Sequence, residues 1–349
     1  MEEKNRMLAA ELVELRRIEV RRKQRPVPED DELLIRIRAV GLCGTDLKAF
    51  SRGHPYFAPP CVLGHEMCGE IAEIGAHVNG FSLGDRVAVA PYVPCGTCRL
   101  CKRGLGELCQ SKAATSGALQ EYVVIPRRIV DQATFRVGAD VSDEVATLAE
   151  PLACVLNGLD RAQVSERDRV LIVGGGPMGA LTALVAEIQG AHVLISERSP
   201  SRVNLLRRLG LNVVHADETS LADAMASRWD TSKADRIIAA VGVEQAVEGL
   251  ESSVSPGGTV LWFGGLPRDA RLSVCPYDIH YREVSIIGSF GFSTKHFAAA
   301  VDLAGRHRAK LATMITHSVH ISEVKRAFDL ASSADGLKIA ITFGEQDAL

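Results

Sequence analysis

The chain has 349 residues, 46% hydrophobic and 24% charged, with a formal net charge of −3. This composition can build packed cores and excludes disorder as the default, and at roughly 100–200 residues per domain the length predicts two domains. The near-balanced charge gives no global reason to expect nucleic acid or an anionic membrane as a partner. No apolar run approaches the ~20 residues of a membrane span. The opening MEEKNRMLAAELVEL lacks the basic-then-apolar order of a secretory signal, so a cytoplasmic protein is expected.

Residues 1–150 are rich in Gly, Pro and short apolar runs such as 33–40 and 86–91, a texture of short strands and turns. The segment LVELRRIEVRRK (12–23) has the composition of a helix. A basic cluster there, Arg16, Arg17, Arg21, Arg22, Lys23 and Arg25, is nearly balanced by Glu2, Glu3, Glu11, Glu14, Glu19, Glu29 and Asp30. That balance favours a solvated face over a nucleic-acid patch.

From about residue 157 the rhythm changes. RVLIV (169–173) is a strand ending in glycines, and PMGALTALVAEIQ (177–189) has helical spacing with Gly190 as a stop. HVLIS (192–196), the helix RVNLLRRL (202–209), NVVHA, DRIIAAV (235–241) and GTVLWFGG (258–265) continue the alternation. Repeated βαβ units imply an α/β fold with a parallel sheet covered on both faces. From about 285 the texture is mixed again. The order fits a nucleotide-binding domain over 157–284 inserted into a β-rich domain of 1–156 that is completed by 285–349.

Nine cysteines are present, and four of them, Cys95, Cys98, Cys101 and Cys109, fall within fifteen residues as C-x2-C-x2-C-x7-C. In a reducing compartment such a cluster points to metal rather than disulfides. Tetrahedral zinc takes four thiolates, and short x2 steps with Gly96, Gly104 and Gly106 let one loop turn several sulfurs toward one ion. Four sulfurs leave no open position, so the expected role is structural. Free thiols or an iron–sulfur cluster are the alternatives.

A second constellation pairs Gly41-Leu-Cys43-Gly-Thr45-Asp46 with Gly64-His65-Glu66. A thiolate and an imidazole suit a catalytic zinc with an open position, although each piece alone is weak. Taken in order, GLCGTD, GHEMCGEIAEIG (64–75), GDRVAV (84–89), the cysteine cluster, EPLA (150–153) and VGGGPMG (173–179) resemble the zinc-containing medium-chain dehydrogenase/reductase family, and most closely its polyol (sorbitol-type) and threonine dehydrogenases. The resemblance spans nearly the whole chain. It implies a GroES-like catalytic domain joined to a Rossmann domain. It also implies two zinc ions per chain, with Cys43 and His65 binding the catalytic one.

In the subgroup it resembles, the glutamate after the motif histidine, here Glu66, and the glutamate of EPL, here Glu150, bind this zinc or stand beside it. Cys154 occupies the position of a third thiolate ligand in other relatives. Charge counting limits the set: Zn²⁺ with Cys43, His65 and one further anion is neutral overall, and two further anions would blunt its Lewis acidity. Glu66 and Glu150, exchanging or acting through water, are the expectation, with Cys154 as a small buried residue. The resemblance gives Thr45 the substrate proton. Many relatives end the proton path at a histidine five residues after the ligand cysteine; here that position is Lys48.

Gly174-Gly-Gly176-Pro177-Met178-Gly179 follows a predicted strand and opens a predicted helix, the context a dinucleotide fingerprint requires. Glu197, 23 residues after Gly174, can accept both adenosine-ribose hydroxyls, which favours NAD over NADP; Arg198 argues mildly the other way. Arg202 resembles an arginine that threonine dehydrogenases place near that ribose, and Gly264 is expected to border the nicotinamide. Tyr56, Phe57, Glu121 and Phe290 are candidate pocket residues. The expected activity is zinc-assisted oxidation of a secondary alcohol of a polyol, sugar alcohol or cyclitol, with hydride passing to NAD, in a homodimer or homotetramer. The alternatives are threonine-type amino-alcohol oxidation, a zinc-free quinone reductase and a non-catalytic zinc-binding relative.

Overall fold

The computed structural model describes residues 5–333 and 336–344. The chain forms two compact units, Met1–Ala153 with Phe292–Leu349, and Cys154–Gly291. Among the described residues, no helix is long and apolar enough to cross a membrane.

The first unit is built around the strand Leu33–Gly41. Its residues Leu33, Leu34, Ile35, Ile37, Ala39 and Val40 are buried while Arg36 stays exposed. It pairs antiparallel with Glu66–Ile74, Tyr122–Ile125 and Lys338–Thr342. Arg86–Val89 and Thr134–Arg136 extend the sheet on one side, and Ile315–His320 on the other. A strand buried this thoroughly reads as a nearly continuous apolar run rather than a clean alternation.

The segment 12–23 is not a helix. Arg6–Glu14 and Arg17–Gln24 form an antiparallel hairpin whose second strand starts just after Arg16, at a φ of 63°. Leu12 and Ile18 face each other in register and are both buried, and this cross-strand burial outweighs helix-like composition. The basic cluster is a paired face: Arg17 with Glu14 and Glu19, Arg21 with Glu11 and Glu19, Lys23 with Glu11, and Arg25 with Glu73. Glu2 and Glu3 lie outside the described residues.

The second unit holds a six-stranded, all-parallel sheet in the order Val213–His215, His192–Glu197, Arg169–Val173, Ala234–Ala239, Val254–Trp262, Ser285–Gly288. This 3-2-1-4-5-6 order is the doubly wound dinucleotide arrangement. Its helices begin where capping chemistry predicts: Pro177–Ile188 has proline at its first turn, and Ser199 and Ser220 cap Pro200–Arg208 and Leu221–Trp229. Leu171, Leu194, Ile237, Val254 and Val260 form part of its core.

Ile35 has no solvent exposure and sits in register with Ile71 and Val123. Ile35→Ala is expected to cost about 2–5 kcal/mol of unfolding free energy in chemical denaturation.

Candidate active site

Cys43 caps the helix Gly44–Arg52, and its sulfur accepts the N–H of Thr45 at 3.5 Å. Asp46, fully buried, ties the two ligand-bearing segments together. One of its carboxylate oxygens accepts the Cys43 N–H and the other the Gly64 N–H, both at 3.0 Å. Cys43, His65 and Glu66 each bring a ligand atom within 4.8 Å of the others. Glu150 and Cys154 are not part of this group. Cys154 falls in the second compact unit.

Glu66 is fully buried, and its two oxygens are in different situations. Oε2 pairs with Lys338, whose ammonium also donates to the Leu42 carbonyl at 2.9 Å. Oε1 is buried with no hydrogen-bond partner, as is Nδ1 of His65, which lies 3.4 Å from Asp46. An orphaned buried carboxylate oxygen such as Glu66 Oε1 calls for an explanation, and a cation held with Cys43 and His65 supplies it. Gly41 leaves the room: a Cβ there would run into Glu66 Oε2 and approach the Thr147 hydroxyl. Burial disfavours a charged His65, yet the Asp46 and Cys43 charges outweigh it and hold the ring proton well above the usual histidine range. A metal ion would relieve the same negative field. Zinc therefore fits these donors.

Thr45 is half-buried, two residues beyond Cys43, and Lys48 is exposed one turn along the same helix. His54 was not singled out from sequence. Burial, then the charges of Lys48 and His65, hold its proton more loosely than usual. Asp46 carried no assigned role in the motif, and Lys338 was also missed; its only sequence signal is a lone cation in the apolar run LKIAI.

The four-cysteine loop brings Cys95, Cys98, Cys101 and Cys109 within 4.8 Å of one another, with S···S separations of 3.4 Å (98–101), 3.8 Å (95–101) and 3.9 Å (98–109). Thiolates ~2.3 Å from a tetrahedral zinc stand about 3.8 Å apart, whereas a disulfide requires about 2.05 Å. Backbone N–H groups of Cys98, Cys95 and Ser111 already point at sulfurs. The Thr97 hydroxyl and nearby amides lower the Cys95 thiol to about 5, favouring the thiolate a metal needs.

In the second unit, the glycine-rich turn lies between Arg169–Val173 and the helix starting at Pro177, with Gly176 at the cap. A Cβ on Gly179 would strike the Gly174 carbonyl, so this glycine lets the helix close onto the turn. Met178 stands in the first turn of that helix. Glu197 ends its strand beside this turn: Oε2 accepts the Gly175 N–H and Oε1 the Ser199 N–H, each at 2.7 Å. Arg202 Nη1 is 3.9 Å from Glu197 Oε2. Gly264 follows the Val254–Trp262 strand, with its N–H on the Ala239 carbonyl. Of the candidate pocket residues, Tyr56 and Phe290 are exposed, and Glu121 is engaged by the Leu8 N–H at 2.5 Å.

Two family patterns match the chain: the alcohol dehydrogenase GroES-like domain over residues 29–134 and the zinc-binding dehydrogenase domain over 177–306. L-galactonate-5-dehydrogenase of Escherichia coli (strain K12) is 30% identical over 330 residues, covering 92% of this chain and 95% of the relative. D-altritol 5-dehydrogenase of Agrobacterium fabrum (strain C58) is 33% identical over 301 residues, covering 83% and 86%. A Sinorhizobium meliloti 1021 structure, assigned as a zinc-binding dehydrogenase and bound to NADP, superposes with a TM-score of 0.88 at 30% identity over 97% of this chain and 99% of its own. The chain belongs to the zinc-containing medium-chain dehydrogenase/reductase family. Its two units carry the GroES-like and Rossmann folds of that family, and it is an oxidoreductase of the CH–OH class.

In this dehydrogenase Glu150 is buried near the metal group without joining it. Burial pushes its carboxyl up to about 7; Glu66 and Asp46 reinforce the shift, and His65 and Lys338 oppose it. The folded state thus keeps a proton that the unfolded chain releases near 4.5. Stability of the metal-free protein should therefore fall as pH rises from about 4.5 to about 7. Glu150→Gln should remove that component, read as the wild-type-minus-variant difference in Tm from pH 4 to 8.

Proposed function

We propose that the chain is a two-zinc, NAD-dependent dehydrogenase that oxidises a secondary alcohol of a polyol or sugar acid to a ketone. The observation that carries this is the convergence of Cys43, His65 and Glu66, with Glu66 Oε1 buried and unpartnered and Asp46 3.4 Å behind the His65 ring. The galactonate and altritol specificities of the two relatives support the substrate class. Cys43, His65 and Glu66 would hold the catalytic zinc, with Glu150 exchanging with Glu66 or acting through water. Cys95, Cys98, Cys101 and Cys109 would hold the structural zinc. Gly174, Gly176, Pro177, Met178, Gly179, Glu197, Arg202 and Gly264 would border the cofactor. The domain limits proposed are 1–156 with 285–349, and 157–284.

Bound zinc supplies Lewis acidity to an alcohol oxygen and the nicotinamide supplies the hydride acceptor. The residues of the chain do the rest. The Thr45 hydroxyl takes the substrate proton, and Lys48 stands further along the same helix as its onward acceptor or as a contact to substrate oxygens. Asp46 and Lys338 orient the ligands by fixing the Cys43 cap and the Glu66 carboxylate. A homodimer or homotetramer is proposed; Ser285–Gly288 is one of the two outer strands of its sheet, with one edge open among the described residues. The nine cysteines form no disulfide among the described residues, which suits a reducing cytoplasm.

Metal analysis should find two zinc ions per chain, falling to one in Cys43→Ala, and a panel of polyols, sugar acids and amino alcohols should show NAD reduction with the first two classes. A single zinc in the intact protein, or turnover confined to amino alcohols, would overturn this assignment. Thr45→Val should keep both zinc ions and lower kcat/KM by about 10²-fold or more, the usual worth of a positioned proton acceptor.

A further inference from the structure

Resting on the dinucleotide reading above, we propose that Asn157, backed by Arg161 one turn further along the helix Ala149–Ala162, is a positioning residue for the nicotinamide end of the cofactor. Both act through the loop 288–291, which leaves Ser285–Gly288, an outer strand of the parallel sheet. Asn157 is only 5% exposed. Its side-chain amide nitrogen donates to the Gly291 carbonyl at 2.9 Å and to the Ser289 hydroxyl at 3.2 Å. An asparagine amide carries two N–H groups, so these two acceptors use both. Arg161 Nε donates to the Gly288 carbonyl at 2.7 Å. Positions 157 and 161 share one helix face at i, i+4. One face of one helix thus holds a loop that lies 127 to 134 residues away in the chain.

Gly158 makes this reach possible. A Cβ there would stand 3.0 and 3.2 Å from carbons of the Phe263 ring and 3.3 Å from Leu261, so a side chain would press the helix away from the sheet. The loop itself occupies the carboxyl end of its strand, where open α/β sheets bind ligands. Trp262 and Gly288 are register partners, and the Ser289 N–H bonds the Trp262 carbonyl at 3.3 Å, so the loop stands beside the Gly264 turn. That turn is packed tight, since a Cβ on Gly264 would strike the Val241 backbone. Gly288 is exposed, and a Cβ there would meet nothing within 4 Å. A fixed turn and a loop facing open space therefore lie side by side. A reacting ring is held for hydride transfer only if its border keeps one conformation. A loop with Gly291 at a φ of 60° and Phe290 exposed to solvent needs anchors to do so. Asn157 and Arg161 are those anchors.

The test uses the full chain and calorimetric titration with NADH and with ADP-ribose, which lacks the nicotinamide. Asn157→Ala removes both N–H donors; it should raise the NADH dissociation constant about tenfold and the ADP-ribose constant less than about twofold, the scale of one or two lost hydrogen bonds felt at one end of the ligand. Arg161→Met removes the Gly288 anchor at an exposed position and should weaken NADH selectively by about threefold, which keeps the test open if Asn157→Ala fails to fold. Amide hydrogen exchange at 289–291 should quicken in each variant without cofactor. A side chain that only supports the fold would weaken both ligands alike or neither. Equal weakening of NADH and ADP-ribose, or an unchanged NADH constant, therefore overturns the inference while the dehydrogenase assignment stands. Wild-type protein that binds neither ligand removes the dinucleotide reading itself. Asn157, Arg161 and the loop 288–291 all lie in one compact unit.

Discussion

A carboxylate buried at the heart of a β-sheet must be matched by an opposite charge, and the Glu66–Lys338 pair meets that demand in the first unit. Both side chains are almost fully enclosed. Leaving either one without its partner would strand a charge in a low-dielectric interior, a loss of about 3–5 kcal/mol. The pair joins residues 272 positions apart, so the strand Lys338–Thr342 is held in the same sheet as Leu33–Gly41 by charge as well as by backbone pairing. One Glu66 oxygen is taken by Lys338 and the other has no hydrogen-bond partner. Gly41 supplies the space in which this division of labour is possible.

The two metal groups are organised on different principles. The four cysteines sit on a single loop, and their spacing and the amides of that loop set the S···S distances. The group at Cys43 is assembled from a helix cap and the start of a strand, and Asp46 is the brace between them. Burial would oppose an ionised Asp46, but His65 and two backbone N–H groups prevail and hold its carboxyl below the ordinary range. A permanent anion 3.4 Å behind the imidazole is the kind of outer partner that, around a metal, would fix a histidine ring and raise its basicity.

In the second unit the surroundings of a motif residue decide what its side chain touches. A glutamate at the end of the second strand suggests a carboxylate open to ribose hydroxyls. In the folded chain its oxygens brace the glycine-rich turn and the start of the next helix.

Local features were legible in residue order. The C-x2-C-x2-C-x7-C spacing, the glycine turn between strand and helix and the capping residues each act within one or two turns of chain, so residue order suffices to read them. The parallel sheet was legible for the same reason, since each βαβ unit is a contiguous segment. Composition misled at 12–23, where burial against a partner strand decided the conformation. Residue order put Glu66 and Glu150 forward together; the fold brings Glu66 to Cys43 and His65 and orients it through Lys338, a contact between residues far apart in the chain. Burial and desolvation are properties of the assembled interior, and neither can be counted from residue order. The two zinc sites expected from the sequence thus divide cleanly: one is written in a loop, and the other depends on Lys338, in the last strand among the described residues, to hold Glu66.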